Sequence, residues 1–308
     1  MTQPLYRGDK TDFYLAPPNV ADGVNLAIHL NRPILVEGEP GCGKTMLAYS
    51  IAAEKKLGAV TKIPIKSTSR AQDLLYRVNS LRRLQDAQSQ LNPNAQFIYP
   101  YLSLGPLGNA LHQPKRSVVL IDEIDKADID FPNDLLDVLD TFSFEISDLP
   151  LEEEKKCKTT NGFGRKIQSD KKTQPIVVIT SNREKRLPEP FLRRCIYVRL
   201  LFPRTSDELR DIVRKNTKLT TRQMNEKILK AAIDSFLKVR AKAVGSAQKP
   251  PSTSELIDWI RILHWKGKTV QELTKDPELP PYWQLLFKNM SDIDAHEAVA
   301  KKSSEAKS

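Results

Sequence analysis

The chain has 308 residues, a formal net charge of +10, 40% hydrophobic residues and 28% charged residues. This composition is that of a globular protein long enough for two domains, and no apolar run reaches the roughly 18–20 residues that cross a bilayer. Three irregularly spaced cysteines and four scattered histidines provide no disulfide framework or metal pattern, which favours the cytoplasm.

Short apolar runs rich in β-branched residues predict the strands of the first domain. They lie at 34–36, 63–65, 117–121, 176–180 and 196–200. None alternates cleanly between polar and apolar residues, which indicates burial on both faces, as in a parallel sheet. Helical periodicity between the runs therefore predicts an α/β fold over residues 1–203.

Beyond residue 203 the pattern is helical only. Amphipathic stretches at 209–213, 228–237 and 256–263 predict a small all-helical second domain over residues 204–290. The third stretch opens with Ser252-Thr253-Ser254-Glu255, a capping-box pattern. The polar residues 291–308 are predicted to be a disordered tail.

Two segments of the first domain fit neither scheme. Residues 67–91 have helical periodicity, and the apolar positions that carry it are Leu74, Val78, Leu81 and Leu84. The same segment is predicted to expose Arg70, Arg77, Arg82 and Arg83. Residues 142–172 begin with strict alternation and reach a glycine-containing turn at 161–164, which predicts an exposed β-hairpin.

Residues 38–45 match the phosphate-binding pattern G-x-x-x-x-G-K-[ST] in full, between a predicted strand and a predicted helix. Glycines let successive backbone N–H groups face phosphate oxygens, and the helix adds the positive end of its dipole. Lys44 is placed to reach the β- and γ-phosphates, and the Thr45 hydroxyl to bind Mg²⁺. The predicted ATP-binding residues of this segment are Gly38, Glu39, Pro40, Gly41, Cys42, Gly43, Lys44, Thr45 and Met46.

The run Ser117–Ile121 is an apolar strand followed by two carboxylates. Asp122 is predicted to join Thr45 in the Mg²⁺ shell and so to belong to the ATP-binding residues. Glu123 is predicted to polarise the attacking water as the catalytic base. Asp125 and Asp128 follow closely enough to act as helpers of this pair, but are predicted instead to cap and solvate the next helix.

Three further polar residues lie beside the last two predicted strands of the first domain. Asn182 ends the strand at 176–180, where an amide can contact both the γ-phosphate and the water. Arg193 and Arg194 precede the strand at 196–200. A guanidinium there can stabilise transition-state charge on the ATP of a neighbouring subunit.

With these elements in this order, the chain resembles the AAA+ ATPases, and among them the MoxR family. The stretches that carry the resemblance are 38–45, 118–128 (VVLIDEIDKAD), 179–182 (ITSN) and 191–195 (FLRRC). The resemblance covers about residues 14–263. It implies a P-loop core with a five-stranded parallel sheet, a helical lid, and a ring, usually a hexamer, with ATP at each interface. It also implies a helix-2 insert at about 67–104 and a hairpin before the sensor strand at about 142–172.

Matched one residue at a time, Asn182 corresponds to the first sensor of the family. Arg194 best matches the arginine finger, with Arg193 as the alternate. The chain departs from many relatives at Ser252, where an arginine would serve as a second sensor. MoxR proteins often work with proteins that carry a von Willebrand factor A domain, which implies a motor that remodels or activates a protein client.

Three other functions stay open. The net charge of +10 and the arginines at 70–83 are compatible with a motor that acts on nucleic acid in a restriction or defence system. A P-loop kinase for a small molecule is disfavoured by Glu123, because phosphate transfer to a metabolite needs no glutamate that activates water. The fourth possibility is a scaffold that binds ATP and scarcely hydrolyses it.

Overall fold

The structure is a computed structural model that describes residues 5–89, 92–203, 205–220, 223–245, 250–275 and 280–287, with only the backbone for 242–245. The described residues form two compact units. The first draws on Met1–Gly8, Ala16–Glu37 and Lys44–Arg199, and the second on Asp9–Leu15, Gly38–Gly43 and Leu200–Ser308. The predicted tail at 291–308 lies outside the described residues.

The strands are β1 (Ile34–Gly38), β2 (Val60–Pro64), β3 (Tyr76–Val78), β4 (Leu102–Leu104), β5 (Val118–Asp122), β6 (Ser143–Glu145), β7 (Lys166–Gln168), β8 (Ile176–Ser181) and β9 (Ile196–Leu200). The helices of the first unit are α1 (Pro18–Leu30), α2 (Lys44–Lys55), α3 (Ala71–Leu75), α4 (Ser80–Ser89), α5 (Pro106–His112), α6 (Asp130–Asp134), α7 (Leu136–Thr141), α8 (Glu154–Asn161) and α9 (Glu189–Arg194). Those of the second unit are α10 (Ser206–Thr217), α11 (Glu226–Gly245), α12 (Thr253–Trp265) and α13 (Val270–Thr274).

The main sheet of the first unit has five parallel strands in the order β2-β5-β8-β1-β9. Every residue of β5 and β8 is buried, as is typical of the interior strands of a parallel sheet. The register pairs Leu35 with Ile179 and Pro64 with Asp122. Since parallel strands end at the same edge, Asp122 and Ser181 lie at one edge of the sheet. This sheet confirms the predicted α/β fold.

The helical periodicity read over residues 67–91 does not correspond to a single helix. The chain forms α3, then the short strand β3, then α4, and β3 pairs antiparallel with β4 through Tyr76↔Leu104. Leu74 is buried as predicted, but Leu81 and Leu84 are exposed, and α4 has no buried residue. Pairing with a segment about 26 residues further along the chain therefore overrides the local helical period.

The exposed β-hairpin predicted over residues 142–172 is wrong in part: two strands pair, but a helix lies between them and one face of the pair is buried. Phe144 of β6 faces Ile167 of β7, and α8 connects them. Phe142, Phe144 and Ile146 are buried while Glu145 is exposed, so the alternation read from the sequence describes one buried and one exposed face.

The second unit is helical in its described part. Its buried core includes Leu209, Phe236 and Trp259, and the Trp259 indole N–H donates to the carbonyl of Pro281 at 2.6 Å. The capping box predicted at Ser252 is present: the Ser252 backbone N–H donates to the Glu255 carboxylate at 2.8 Å. Among the described residues, no helix has the length and apolar character needed to cross a membrane.

Candidate functional site

The predicted phosphate-binding loop connects β1 to α2, and two of its glycines adopt conformations that other residues avoid. Gly41 has a φ of +74° and Gly43 a φ of +97°. A Cβ on Gly41 would lie 2.2 Å from Oγ of Ser252. The sequence therefore needs glycine at position 41 both for the backbone turn and for the close approach of another residue.

Residues 38–43 belong to the second unit, where polar contacts hold them. The Thr253 hydroxyl donates to the carbonyl of Gly41 at 2.6 Å. The guanidinium of Arg240 donates to the Glu39 carboxylate at 2.5 Å, to the carbonyl of Pro251 at 2.6 Å, and stacks 3.6 Å from the centre of the Phe202 ring. These contacts fix both the backbone and a side chain of the loop.

The helix α2 begins at Lys44, so the N-terminal backbone donors of a 12-residue helix follow the loop directly. The side chain of Lys44 is buried within the first unit. Met46, the third residue of the helix, is 37% exposed. A helix N-terminus with a lysine at its start is a feature that can bind phosphate groups.

Asp122, at the end of β5, is the centre of a buried hydrogen-bond network. Its Oδ1 accepts from the hydroxyls of Thr45 at 3.1 Å and Thr180 at 2.7 Å, and its Oδ2 lies 2.8 Å from Nζ of Lys62. Burial raises the pKa of the Asp122 carboxyl, but the hydrogen bonds from Lys62, Thr180 and Thr45 outweigh burial and bring the pKa below its ordinary value. The hydrogen bond to Asp122 raises the pKa of Lys62. Both groups are therefore charged at neutral pH.

Glu123 follows Asp122 in the left-handed backbone region, with a φ of +61°. Its Oε1 accepts from the side-chain amide of Asn182 at 3.3 Å, and its Oε2 lies 2.5 Å from Nζ of Lys126. The backbone N–H of Glu123 donates to the Thr180 hydroxyl at 2.8 Å. The structure thus brings together Glu123 and Asn182, two residues 59 positions apart in the chain.

Asp125 was predicted to cap and solvate a helix, and this prediction is wrong. The side chain is only 2% exposed, and its Oδ2 accepts from the backbone N–H groups of Asn182 and Glu184, each at 2.9 Å. Through these hydrogen bonds, the buried carboxylate connects the segment after β5 to the segment after β8. Its place in the fold is to hold Asn182 beside Glu123.

Arg193 and Arg194 lie at the end of α9, away from the residues just described. The Arg194 guanidinium donates to the Asp140 carboxylate and to the carbonyl of Pro190. The side chain of Arg193 is exposed and has no hydrogen-bonding or ionic partner among the described residues. No contact in the described part of the chain joins either guanidinium to Glu123 of the same molecule.

The residues present fit Mg²⁺ and a nucleotide. Thr45 and Asp122 offer hard oxygen donors within hydrogen-bonding distance of each other. The Asp122 carboxylate already pairs with one positive group, the ammonium of Lys62. Mg²⁺ is usually held by one or two such protein oxygens together with substrate phosphates. Thr45 and Asp122 would hold the metal, and the loop with Lys44 would hold the phosphates.

Lys62, Asp125 and Arg240 contribute to these networks without having been recognised from the sequence. Lys62 lies on a neighbouring strand and Arg240 on a helix of the second unit, 201 residues from Glu39. Arg261, an arginine further along α12 than Ser252, donates to the carboxylate of Asp258 and to the carbonyl of Asn216.

Known proteins provide one family match. The protein-family model described as "ATPase family associated with various cellular activities (AAA)" matches residues 34–204, more than half of the chain. No curated protein sequence matches significantly. Among solved structures, RuvB of Thermotoga maritima, described as a Holliday junction branch migration motor, gives a TM-score of 0.37 at 16% identity, over 80% of this chain and 70% of that chain. A point variant of the same protein gives 0.36 at the same identity and coverage.

Proposed function

Because the chain belongs to the AAA family of ATPases, we propose that it is a MoxR-type motor that hydrolyses Mg·ATP in a ring of copies and remodels a protein client. The observation that carries the hydrolysis of Mg·ATP in this proposal is the hydrogen bond between Thr45 and Asp122 at 3.1 Å; the MoxR-type ring and the protein client rest on the resemblance of the motifs. It joins the start of α2 to the end of β5 beside Glu123, so that donors for phosphate, metal and water lie within one connected network.

Each side chain of the network has a proposed role. Lys44 binds the β- and γ-phosphates, and Thr45 and Asp122 hold Mg²⁺, which when bound neutralises charge on the phosphates. Glu123 accepts a proton from the attacking water. Asn182 donates its amide to orient Glu123 and the water, and Asp125 keeps Asn182 in position.

The proposed ring supplies an arginine to each Glu123, since no contact among the described residues joins Arg193 or Arg194 to Glu123 of the same molecule. We expect Arg194→Ala to lower turnover by roughly a thousandfold, since an arginine supplied by a neighbour contributes about 10³–10⁵ in comparable enzymes. Arg193→Ala is the parallel test, because the side chain of Arg193 is exposed while Arg194 is paired with Asp140. Arg186→Ala, which removes an exposed arginine of the same segment, is the control.

Mixing experiments distinguish an arginine that acts in trans from one that acts within its own subunit. Subunits carrying Arg194→Ala have an intact base, and subunits carrying Glu123→Gln have an intact arginine. In a mixed ring some interfaces combine both intact groups, so turnover rises above that of either variant alone. If no mixing ratio restores turnover for Arg194→Ala or for Arg193→Ala, the proposal of a trans arginine is withdrawn.

The proposed partner is a protein that carries a von Willebrand factor A domain, together with a further protein client. The test uses the Glu123→Gln variant, which we expect to hold ATP without hydrolysing it. We expect this variant to form a ring with Mg·ATP in sedimentation experiments and to retain a specific protein that ADP releases. Lys44→Ala is the matched control, because it cannot load nucleotide; equal retention by both variants would contradict the proposal.

The alternative, a motor directed by nucleic acid, rests on the net charge of +10. Part of the basic segment at 70–83 is used internally: Arg77 pairs with Asp73 at 3.3 Å, and Arg83 donates to the carbonyls of Ala95 and Gln96. A nucleic-acid motor predicts that DNA or RNA stimulates turnover and that binding weakens steeply with salt. Both results together, with no nucleotide-dependent protein partner, would favour the alternative.

A further inference from the structure

A lysine outside the recognised motifs touches the carboxylate that we assign to the metal. Lys62 lies on β2, the edge strand next to β5, and its ammonium is 2.8 Å from Oδ2 of Asp122. The other oxygen of Asp122 accepts from the hydroxyls of Thr45 and Thr180. Both carboxylate oxygens therefore have donors, and one of these donors carries a full positive charge.

The pair is asymmetric in its exposure to water. The Asp122 side chain is 11% exposed, whereas the Lys62 side chain is 41% exposed. A buried carboxylate without a compensating charge is strongly unfavourable, so Lys62 stabilises Asp122 when no metal is bound. Because its stem is flexible and its end reaches water, Lys62 can also move away from Asp122 at little cost.

A divalent cation at Asp122 would bring positive charge into the same small region that Lys62 occupies. The two cations repel each other, so the charge of Lys62 weakens the binding of the metal. The phosphates of the nucleotide add negative charge that offsets this repulsion. A metal that arrives together with the nucleotide is therefore favoured over a metal that arrives alone.

We propose that Lys62 is a positioning residue that acts as a resident counter-ion of Asp122 and lowers the affinity of the site for divalent metal until nucleotide phosphates are present. This inference rests on the proposed role of Asp122 in holding Mg²⁺. The proposal gives a function to the contact between Lys62 of β2 and Asp122 of β5, a contact that binding of phosphate by the loop does not need.

The test measures binding and requires no turnover. The affinity for a non-hydrolysable ATP analogue is determined at saturating Mg²⁺ and in its absence, and the ratio of the two affinities is the coupling between metal and nucleotide. Removing the charge of Lys62 should strengthen metal binding to the nucleotide-free protein and therefore lower this ratio by about tenfold in Lys62→Met. Lys62→Gln should behave in the same way, and Lys62→Arg should stay close to the wild-type ratio.

Matched variants separate the charge of Lys62 from its structural contribution. Lys66→Met removes an exposed lysine just beyond the same strand, and the ratio should stay within about twofold of wild type because charges exposed to water are screened. In a chain that already carries Asp122→Asn, Lys62→Met should change the ratio by much less than tenfold. Retained thermal unfolding midpoints establish that the variants are folded.

Two different failures can be told apart. If Asp122→Asn leaves the ratio unchanged, Asp122 does not hold the metal and the proposed roles in ATP hydrolysis fail with it. If Asp122→Asn lowers the ratio but Lys62→Met and Lys62→Gln leave it unchanged or raise it, the role of Lys62 is overturned while the proposed function stands.

Discussion

Alanine at position 44 is expected to weaken ATP binding by at least about a hundredfold, since each hydrogen bond from an ammonium to a charged phosphate contributes about 1.5–3 kcal/mol. The side chain of Lys44 is buried at the start of α2, where its charge cannot be replaced by bulk water or by a surface lysine. Equilibrium titration with a fluorescent ATP analogue measures the loss directly.

The control for this substitution is Lys66→Ala, which removes the same charge from an exposed position. A thermal unfolding curve of the Lys44→Ala protein without nucleotide shows whether the fold is retained. Affinity within about threefold of wild type in a folded Lys44→Ala protein would mean that the phosphates do not bind at this loop. The proposed binding of Mg²⁺ by Thr45 and Asp122 would then be contradicted as well, because that metal would bridge to the same phosphates.

The sheet was predictable because its central strands are short, apolar and buried on both faces. The runs at 117–121 and 176–180 correspond closely to β5 and β8, each of which is buried throughout. The segment 67–91 was not predictable in the same way. Its helical period is genuine in α4, but β3 forms because of a partner at 102–104, and single-segment periodicity carries no information about such pairing.

The residues of the candidate site divide along the same line. Lys44, Thr45, Asp122 and Glu123 fall within two contiguous motifs, so their types and spacing identify them in the sequence. Lys62 and Asp125 belong to the site only because β2, β5 and β8 are adjacent in the sheet. A lysine in a strand is common, and nothing local distinguishes Lys62 from a solvated surface residue. Asp125 lies within the stretch 118–128, but its type and spacing do not distinguish a buried contact from a helix cap.

Glutamine at position 123 is expected to leave ATP binding within about threefold of wild type and to lower the hydrolysis rate at least about a hundredfold, because a positioned general base contributes about 10²–10⁴. Glutamine keeps the length of the side chain and can still accept from the Asn182 amide, but it has no basic oxygen for the water proton. Single-turnover hydrolysis, started with ATP already bound, separates the chemical step from binding.

Asp128→Asn is the matched control, because it removes one carboxylate charge from an exposed position of the same segment. The structure also gives Glu123 a second partner in Lys126, at 2.5 Å, so part of any effect could come from freeing this lysine. Lys126→Met tests that contribution: if the ion pair only holds Glu123 in the resting chain, hydrolysis persists in Lys126→Met and is lost in Glu123→Gln. Turnover by Glu123→Gln within about fivefold of wild type would remove Glu123 as the base, and the water would then need another acceptor in the same network.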